Sequence, residues 1–297
     1  METTVNSNGN RYSSSGIGFE TSLTLARNGF FTYATMRNLE KSTKIKEIAN
    51  KEALPLEVIQ LDVDNDLSTK NAIQEIVSQK QRIDVVVNNA GYGLIGPTED
   101  ISIEEELKPQ FETNLYGVVR VMQQVLPVMR RQESGRIINV SSIGGIAGYP
   151  FSAAYCSTKF ALEGLCESLS YEVEQFGIKI ILIEPALVIS DFHTNVKMAT
   201  KKGAANPDSS YAQMLQKLFE EYKQVEEQYK SPHMKFLNDN RVFLTKNPVK
   251  SNCCALSGLP SPEAYESPIE TTSKSLTTTV LVTVLTCPLW SVTLSIT

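Results

Sequence analysis

The chain has 297 residues, 41% of them hydrophobic and 21% charged, with a formal net charge of −5. That length can bury one large core. An acidic balance with scattered Lys and Arg argues against a nucleic-acid surface or an anionic membrane as partner. The five cysteines, of which Cys253 and Cys254 are adjacent, and the isolated His193 and His233 lack metal-ligand spacing, so no metal site is expected. The lack of a recognisable secretory leader points to a reducing cytoplasm.

In chain order, residues 1–12 are polar, show no strand pattern and read as an atypical N-terminal segment. Ile17 to Asn28 reads as a helix closed by Gly29, and Phe30 to Thr35 as a strand. A charged helix over 39–51 leads to a strand over 56–61 that ends in Asp62. A helix over 68–79 leads to the apolar strand Ile83-Asp-Val-Val-Val87. A long helical region containing Asn114 precedes a strand over 137–140. A helix over 153–172 precedes the strand Ile178 to Ile183. Strict alternation of strands and helices implies a doubly wound α/β fold, a parallel Rossmann-type sheet with helices on both faces. Residues 13–195 are expected to form that α/β domain. Residues 196–247 carry an apolar stripe from Tyr211 to Tyr229, read both as a helix packed on the core and as a substrate lid. Residues 248–297 form an atypical Ser/Thr/Pro-rich tail. Its uncharged end, from Leu276, has the length of a membrane span, but its many Ser and Thr and Pro288 make a membrane an unfavourable partner.

Three residues can carry chemistry, although a Tyr and Lys at this spacing, taken alone, more often mark a solvated helix face. Tyr155 and Lys159, at i and i+4 of the helix over 153–172, share one face. Ser142 ends the apolar run Arg136-Ile-Ile-Asn-Val-Ser-Ser142 just before Gly144-Gly145. A phenol has an ordinary pKa near 10 and is a poor acid at neutral pH, but an ammonium one turn away favours its anion. The trio can therefore polarise a carbonyl and protonate it, with Ser142 bonding the same oxygen.

Ser13-Ser-Ser-Gly16-Ile-Gly18, Leu61-Asp62-Val63, Asn88-Asn89-Ala90-Gly91, Thr-Asn114-Leu-Tyr-Gly, Asn139-Val-Ser-Ser142, Tyr155 with Lys159, and Glu184-Pro185 occur in this order. On these motifs the chain resembles the short-chain dehydrogenase/reductase family, over roughly residues 13–195, and within it the hydroxysteroid and retinol dehydrogenase-like members. The resemblance implies that the domain over 13–195 binds a dinucleotide and carries the catalytic residues. It implies hydride exchange between a nicotinamide cofactor and a secondary alcohol or a ketone or aldehyde. Its catalytic set would be Asn114, Ser142, Tyr155 and Lys159. Lys159 would also bind the nicotinamide ribose, and Asn114 would order a proton-relaying water; the plainer reading of Asn114 is a helix distortion or a local backbone bond. Ser13, Ser15, Gly16, Ile17 and Gly18 would cradle the pyrophosphate at a helix N-terminus. Asp62 and Val63 would meet the adenine, although Asp62 also reads as a turn residue. Asn89, Ala90 and Gly91 would wall the adenosine, and Tyr155, Lys159 and Pro185 would complete the cofactor contacts. The second strand ends Ala34-Thr-Met-Arg37-Asn38, with an arginine and no acid, which favours NADP(H) over NAD(H). An apolar small-molecule substrate and a homo-oligomer follow from the same resemblance.

The departures point elsewhere. The family's first strand is expected to be altered or missing, because residues 1–12 are polar and Tyr12 stands where its first glycine belongs. A one-base shift of reading frame over Val5–Tyr12 permits Leu-Ile-Val-Thr-Val-Thr-Gly, a family-like strand. The last strand is expected to be altered near 278–284, and Ala186 replaces a glycine after Pro185. A non-catalytic relative with impaired cofactor binding is the alternative these features raise.

Overall fold

Val85, Val86 and Val87 show how the sheet is built: consecutive residues, each at most 1% exposed, on one short strand. In this computed structural model Val86 faces one apolar cluster while Val85 and Val87 face another, so both sides of the sheet are covered. Each such side chain contributes roughly 1.5–3 kcal/mol by leaving water. The structure describes residues 3–7, 16–185, 192, 196–199 and 210–229.

The strands of the main sheet are β1 (Thr3–Ser7), β2 (Phe31–Met36), β3 (Leu56–Gln60), β4 (Val85–Asn88), β6 (Gly135–Val140) and β7 (Ile178–Ile183). They form one six-stranded parallel sheet in the order β3-β2-β1-β4-β6-β7. A short pair, β5 (Leu94–Ile95) with β8 (Lys197–Met198), stands apart. Helices α1 (Gly16–Arg27), α2 (Thr43–Lys51), α3 (Asp66–Lys80), α5 (Gly117–Gln132) and α6 (Ala153–Val173) make the crossovers. A short α4 (Lys108–Phe111) and α7 (Ala212–Tyr229) complete the described helices.

The alternating pattern names these elements to within a residue or two at most ends. The first strand needs correction. Residues 3–7 are not lost to the sheet: they form β1 at its centre, Thr4 paired with Thr32 of β2 and with Val85 of β4. The ladder uses backbone N–H and C=O groups, which any residue but proline supplies, and Thr3, Thr4 and Val5 are β-branched. The neighbours β2 and β4 therefore have no open edge here. Residues 278–284, where an altered last strand was expected, lie outside the described residues.

The strand order reverses between β1 and β4, the switch point at which an open α/β sheet forms a crevice beyond its carboxyl ends. The segments that follow β4, β6 and β7 all meet at that end.

Candidate active site

Strand β6 delivers Ser142, and a tight turn at Ile143–Gly145 holds it: the Gly144 N–H donates to Ser142 Oγ at 3.1 Å. That turn abuts the tyrosine. A methyl group on Gly144 would sit 3.3 Å from Tyr155 Cε1, so a side chain there would crowd the phenol ring. Tyr155 and Lys159 lie on the buried face of α6, at 7% and 5% exposure. Ser142 is equally enclosed. The structure thus brings together the three residues singled out for chemistry.

Lys159 Nζ donates to the Val140 carbonyl at 2.7 Å and lies 5.8 Å from the centre of the Tyr155 ring. Burial lowers its pKa to about 8, and the Glu163 carboxyl opposes that fall. Glu163 itself is held above the usual carboxylate range by burial. Glu184, just after β7, is pushed up to about 7 by burial and then by Glu163. Cys166 is pushed up to about 12 by burial, and its sulfur accepts from Asn139 Nδ2 at 3.1 Å. The Asn139 Oδ1 in turn accepts from Asn88 Nδ2 at 2.7 Å, a buried polar tie between β4 and β6.

Asn114 sits in a π-helical turn, Glu112–Tyr116, between α4 and α5. Its Oδ1 accepts from the Tyr92 N–H at 3.0 Å, and its Nδ2 donates to the Tyr92 carbonyl and to Thr158 Oγ1, each at 3.0 Å. Both plainer readings of this residue, helix distortion and backbone bonding, describe what it does here. It also stands near the lysine: a methyl on Gly91 would sit 3.2 Å from Asn114 Oδ1 and 3.8 Å from Lys159 Nζ.

The nucleotide side is more open. Gly16 opens α1 at a φ of +71°, where a side chain is strained. Ile17 and Gly18 follow in the first turn, which contains no acid to compete with an anion. Arg37 is exposed at the end of β2. The Asp62 side chain accepts from the Asp64 N–H at 3.2 Å, the turn role considered for it. Val63 is buried against the sheet, as is Ala90. Asn89 and Gly91 follow β4 at the crevice, and the Pro185 carbonyl accepts from the Ile143 N–H at 3.0 Å. Ser13 and Ser15, with Tyr12 and Ala186, lie outside the described residues.

A ring contact covers the tyrosine, and it was not anticipated from local pattern. The Phe192 ring is tilted against Tyr155 at 5.8 Å between centres. Strand β8 pairs with β5, with Ala199 so close that a methyl on Gly96 would meet its Cβ at 2.4 Å. Leu215 of α7 packs with Leu94, Ile101 and Ala154, so this helix is packed on the core. A cavity of about 440 Å³ opens near Tyr92, Asp64 and Glu112, but Ser142, Tyr155 and Lys159 do not line it.

A family profile described as short chain dehydrogenase matches residues 13–201. The chain belongs to the short-chain dehydrogenase/reductase family. The 3-ketodihydrosphingosine reductase of Bacteroides thetaiotaomicron is 40% identical over 181 residues, 61% of this chain and 62% of that protein. The 17-beta-hydroxysteroid dehydrogenase type 1 of Homo sapiens is 41% identical, over 62% of this chain and 57% of that protein. Retinol dehydrogenase 8 of Bos taurus is 44% identical, over 60% of this chain and 58% of that protein. This short-chain dehydrogenase/reductase thus spans about three fifths of the length of these relatives. Among solved structures, a short-chain dehydrogenase from Streptomyces avermitilis matches at a TM-score of 0.63 and 30% identity, covering 72% of this chain and 74% of that one. A gluconate 5-dehydrogenase from Burkholderia cenocepacia, in complex with NADP and tartrate, matches at a TM-score of 0.58 and 26% identity, covering 62% and 71% of the two chains. Among the described residues no helix is long and apolar enough to cross a membrane.

Proposed function

We propose that this chain is an NADP(H)-dependent oxidoreductase that interconverts a secondary alcohol with a ketone or aldehyde, with Tyr155 as general acid and base. The observation that carries this reading is a buried ammonium, Lys159, on the same helix face as a buried phenol and 5.8 Å from its ring, with Ser142 held at the start of the turn Ile143–Gly145. The residues present fit a nicotinamide dinucleotide: a left-handed glycine opens α1, and Gly91 brings backbone without a side chain between Asn114 and Lys159. When bound, that cofactor supplies or accepts the hydride.

The protein's own part is acid-base chemistry. In reduction, Tyr155 gives its proton to the carbonyl oxygen, and Ser142 Oγ donates a hydrogen bond to the same oxygen as charge develops. The Lys159 ammonium favours the phenolate left on Tyr155. Asn114 fixes the Tyr92 backbone next to Lys159, which supports a place for an ordered water there. Gly16, Ile17 and Gly18 would hold the pyrophosphate with Ser13 and Ser15, and Arg37 would pair with a 2′-phosphate. Phe192, Leu215 and Phe219 on the covering side favour an apolar substrate, of the kind named by the hydroxysteroid and retinol relatives. The exposed Tyr116, Phe160 and Tyr171 on and beside α5 and α6 support pairing of two copies through those helices. Buried free thiols at Cys156 and Cys166 suit a reducing cytoplasm.

The test is NADPH consumption at 340 nm by the purified chain, against a panel of apolar ketones and aldehydes. Turnover that vanishes in Tyr155→Phe supports the reading. No NADPH binding at millimolar concentration would make the chain a non-catalytic relative instead.

A further inference from the structure

Glu163 lies one helical turn beyond Lys159 on the same face of α6, outside every motif described above. Its Oε1 is buried, as is the hydroxyl of Ser141, a residue 3% exposed, and the Ser141 hydroxyl opposes the rise that burial causes in the Glu163 pKa. The two groups face each other over Gly145. A methyl on that glycine would sit 2.8 Å from Ser141 Oγ, 3.0 Å from Glu163 Cγ and 3.1 Å from Glu163 Oε1. A side chain at Gly145 would therefore displace the Ser141 hydroxyl first and crowd this carboxyl as well. Ser141 is also tied to β7 through its N–H, which donates to the Ile183 carbonyl at 2.7 Å, next to Glu184.

The surroundings of Lys159 single out Glu163 further. The lysine faces Tyr155, Glu163 and Cys166 on its own helix, the Val140 carbonyl on β6, and Asn114 across Gly91. Cys166 stays a neutral thiol near neutrality, since burial pushes it up to about 12. Val140 and Asn114 offer only dipoles. Glu163 is thus the carboxylate that opposes the cost of burying this ammonium. Its own neighbours are Lys159, Ser141, Glu167 and Glu184. Burial raises both Glu163 and Glu184, and Glu163 pushes Glu184 further, up to about 7.

We propose that Glu163 is a positioning residue for the reaction: its carboxylate keeps Lys159 charged and seated beside Tyr155. This rests on the oxidoreductase reading for its catalytic meaning, but the charge coupling can be measured without turnover.

The experiment follows the Lys159 signal by NMR in the full chain labelled with 13C at the lysine ε carbons, without substrate or cofactor, assigned through Lys159→Arg. Glu163→Gln moves the Lys159 titration midpoint down by about one pH unit, and Glu163→Asp restores most of it. Gly145→Ala, which pushes the carboxyl aside, moves it the same way by less, and decides the matter should the Gln variant not fold. In turnover, the alkaline limb of the kcat/KM profile for carbonyl reduction moves down by the same interval. A midpoint that stays in place or rises in the folded variants overturns the proposal. If the wild-type chain reduces no carbonyl while the NMR shift is present, the oxidoreductase reading fails and the coupling stands.

Discussion

The two halves of the crevice are built to opposite rules. Around Ser142, Tyr155 and Lys159 each side chain is at most 7% exposed and held by a neighbour or a turn. Around Gly16, Arg37 and Asp62 the chain offers turns, an exposed arginine and a glycine at positive φ. Proton chemistry at neutral pH needs low dielectric and fixed neighbours, because burial and a nearby charge move a pKa. Nucleotide recognition needs backbone left uncovered and a cation free to reach a phosphate. One half gains from enclosure and the other from openness.

Removing the phenol from the enclosed half breaks the contrast most. Tyr155→Phe is expected to lower kcat/KM by about 10²–10⁴-fold, while a fluorescence titration shows NADPH still bound. On the open half, Arg37→Ala is expected to raise the KM for NADPH by about 10- to 100-fold and leave that for NADH nearly unchanged. Equal losses with both cofactors would remove Arg37 from the phosphate site.

Smaller effects sharpen the comparison through stability. The Glu184 carboxyl is held at about 7 against an ordinary 4.5, so the unfolded chain releases this proton first. Its contribution therefore makes stability fall as pH rises from about 4.5 to about 7. Glu184→Gln removes that fall. At pH 8 the variant is expected to be more stable by roughly 1–2 kcal/mol, allowing for partial exposure, and at pH 4 the two should melt together. Thermal unfolding followed across pH checks both arms. Last, Gly16→Ala places a side chain at a φ of +71°. Denaturant unfolding should show a loss of about 1 kcal/mol, a backbone effect confined to the open half.

Much of this was legible in local pattern. The apolar run at Val85–Val87 and the strand Ile178–Ile183 announce burial on both faces, and the structure places them in adjoining parts of one parallel sheet. The spacing of Tyr155 and Lys159 on a helix already placed them on one face. Glu163 could have been found by the same rule, since it is the next position along that face. Phe192 could not, because its contact with Tyr155 joins residues far apart in sequence with no periodic pattern between them. Strand β1 was missed for a related reason. Its sequence has lost the apolar signature, yet two neighbouring ladders can hold it through backbone groups alone.

Residue order by itself determined the alternating fold, the glycines of the first turn and the helical pairing of phenol with ammonium, since these depend on spacings of a few residues. Only the tertiary structure decided that residues 3–7 sit at the centre of the sheet, that Ser141, Gly145 and Glu163 close on one another, and that the Phe192 ring rests against Tyr155. Those arrangements depend on ladders and packing between distant segments, and the physical forces there act on backbone groups and volumes that no local pattern encodes.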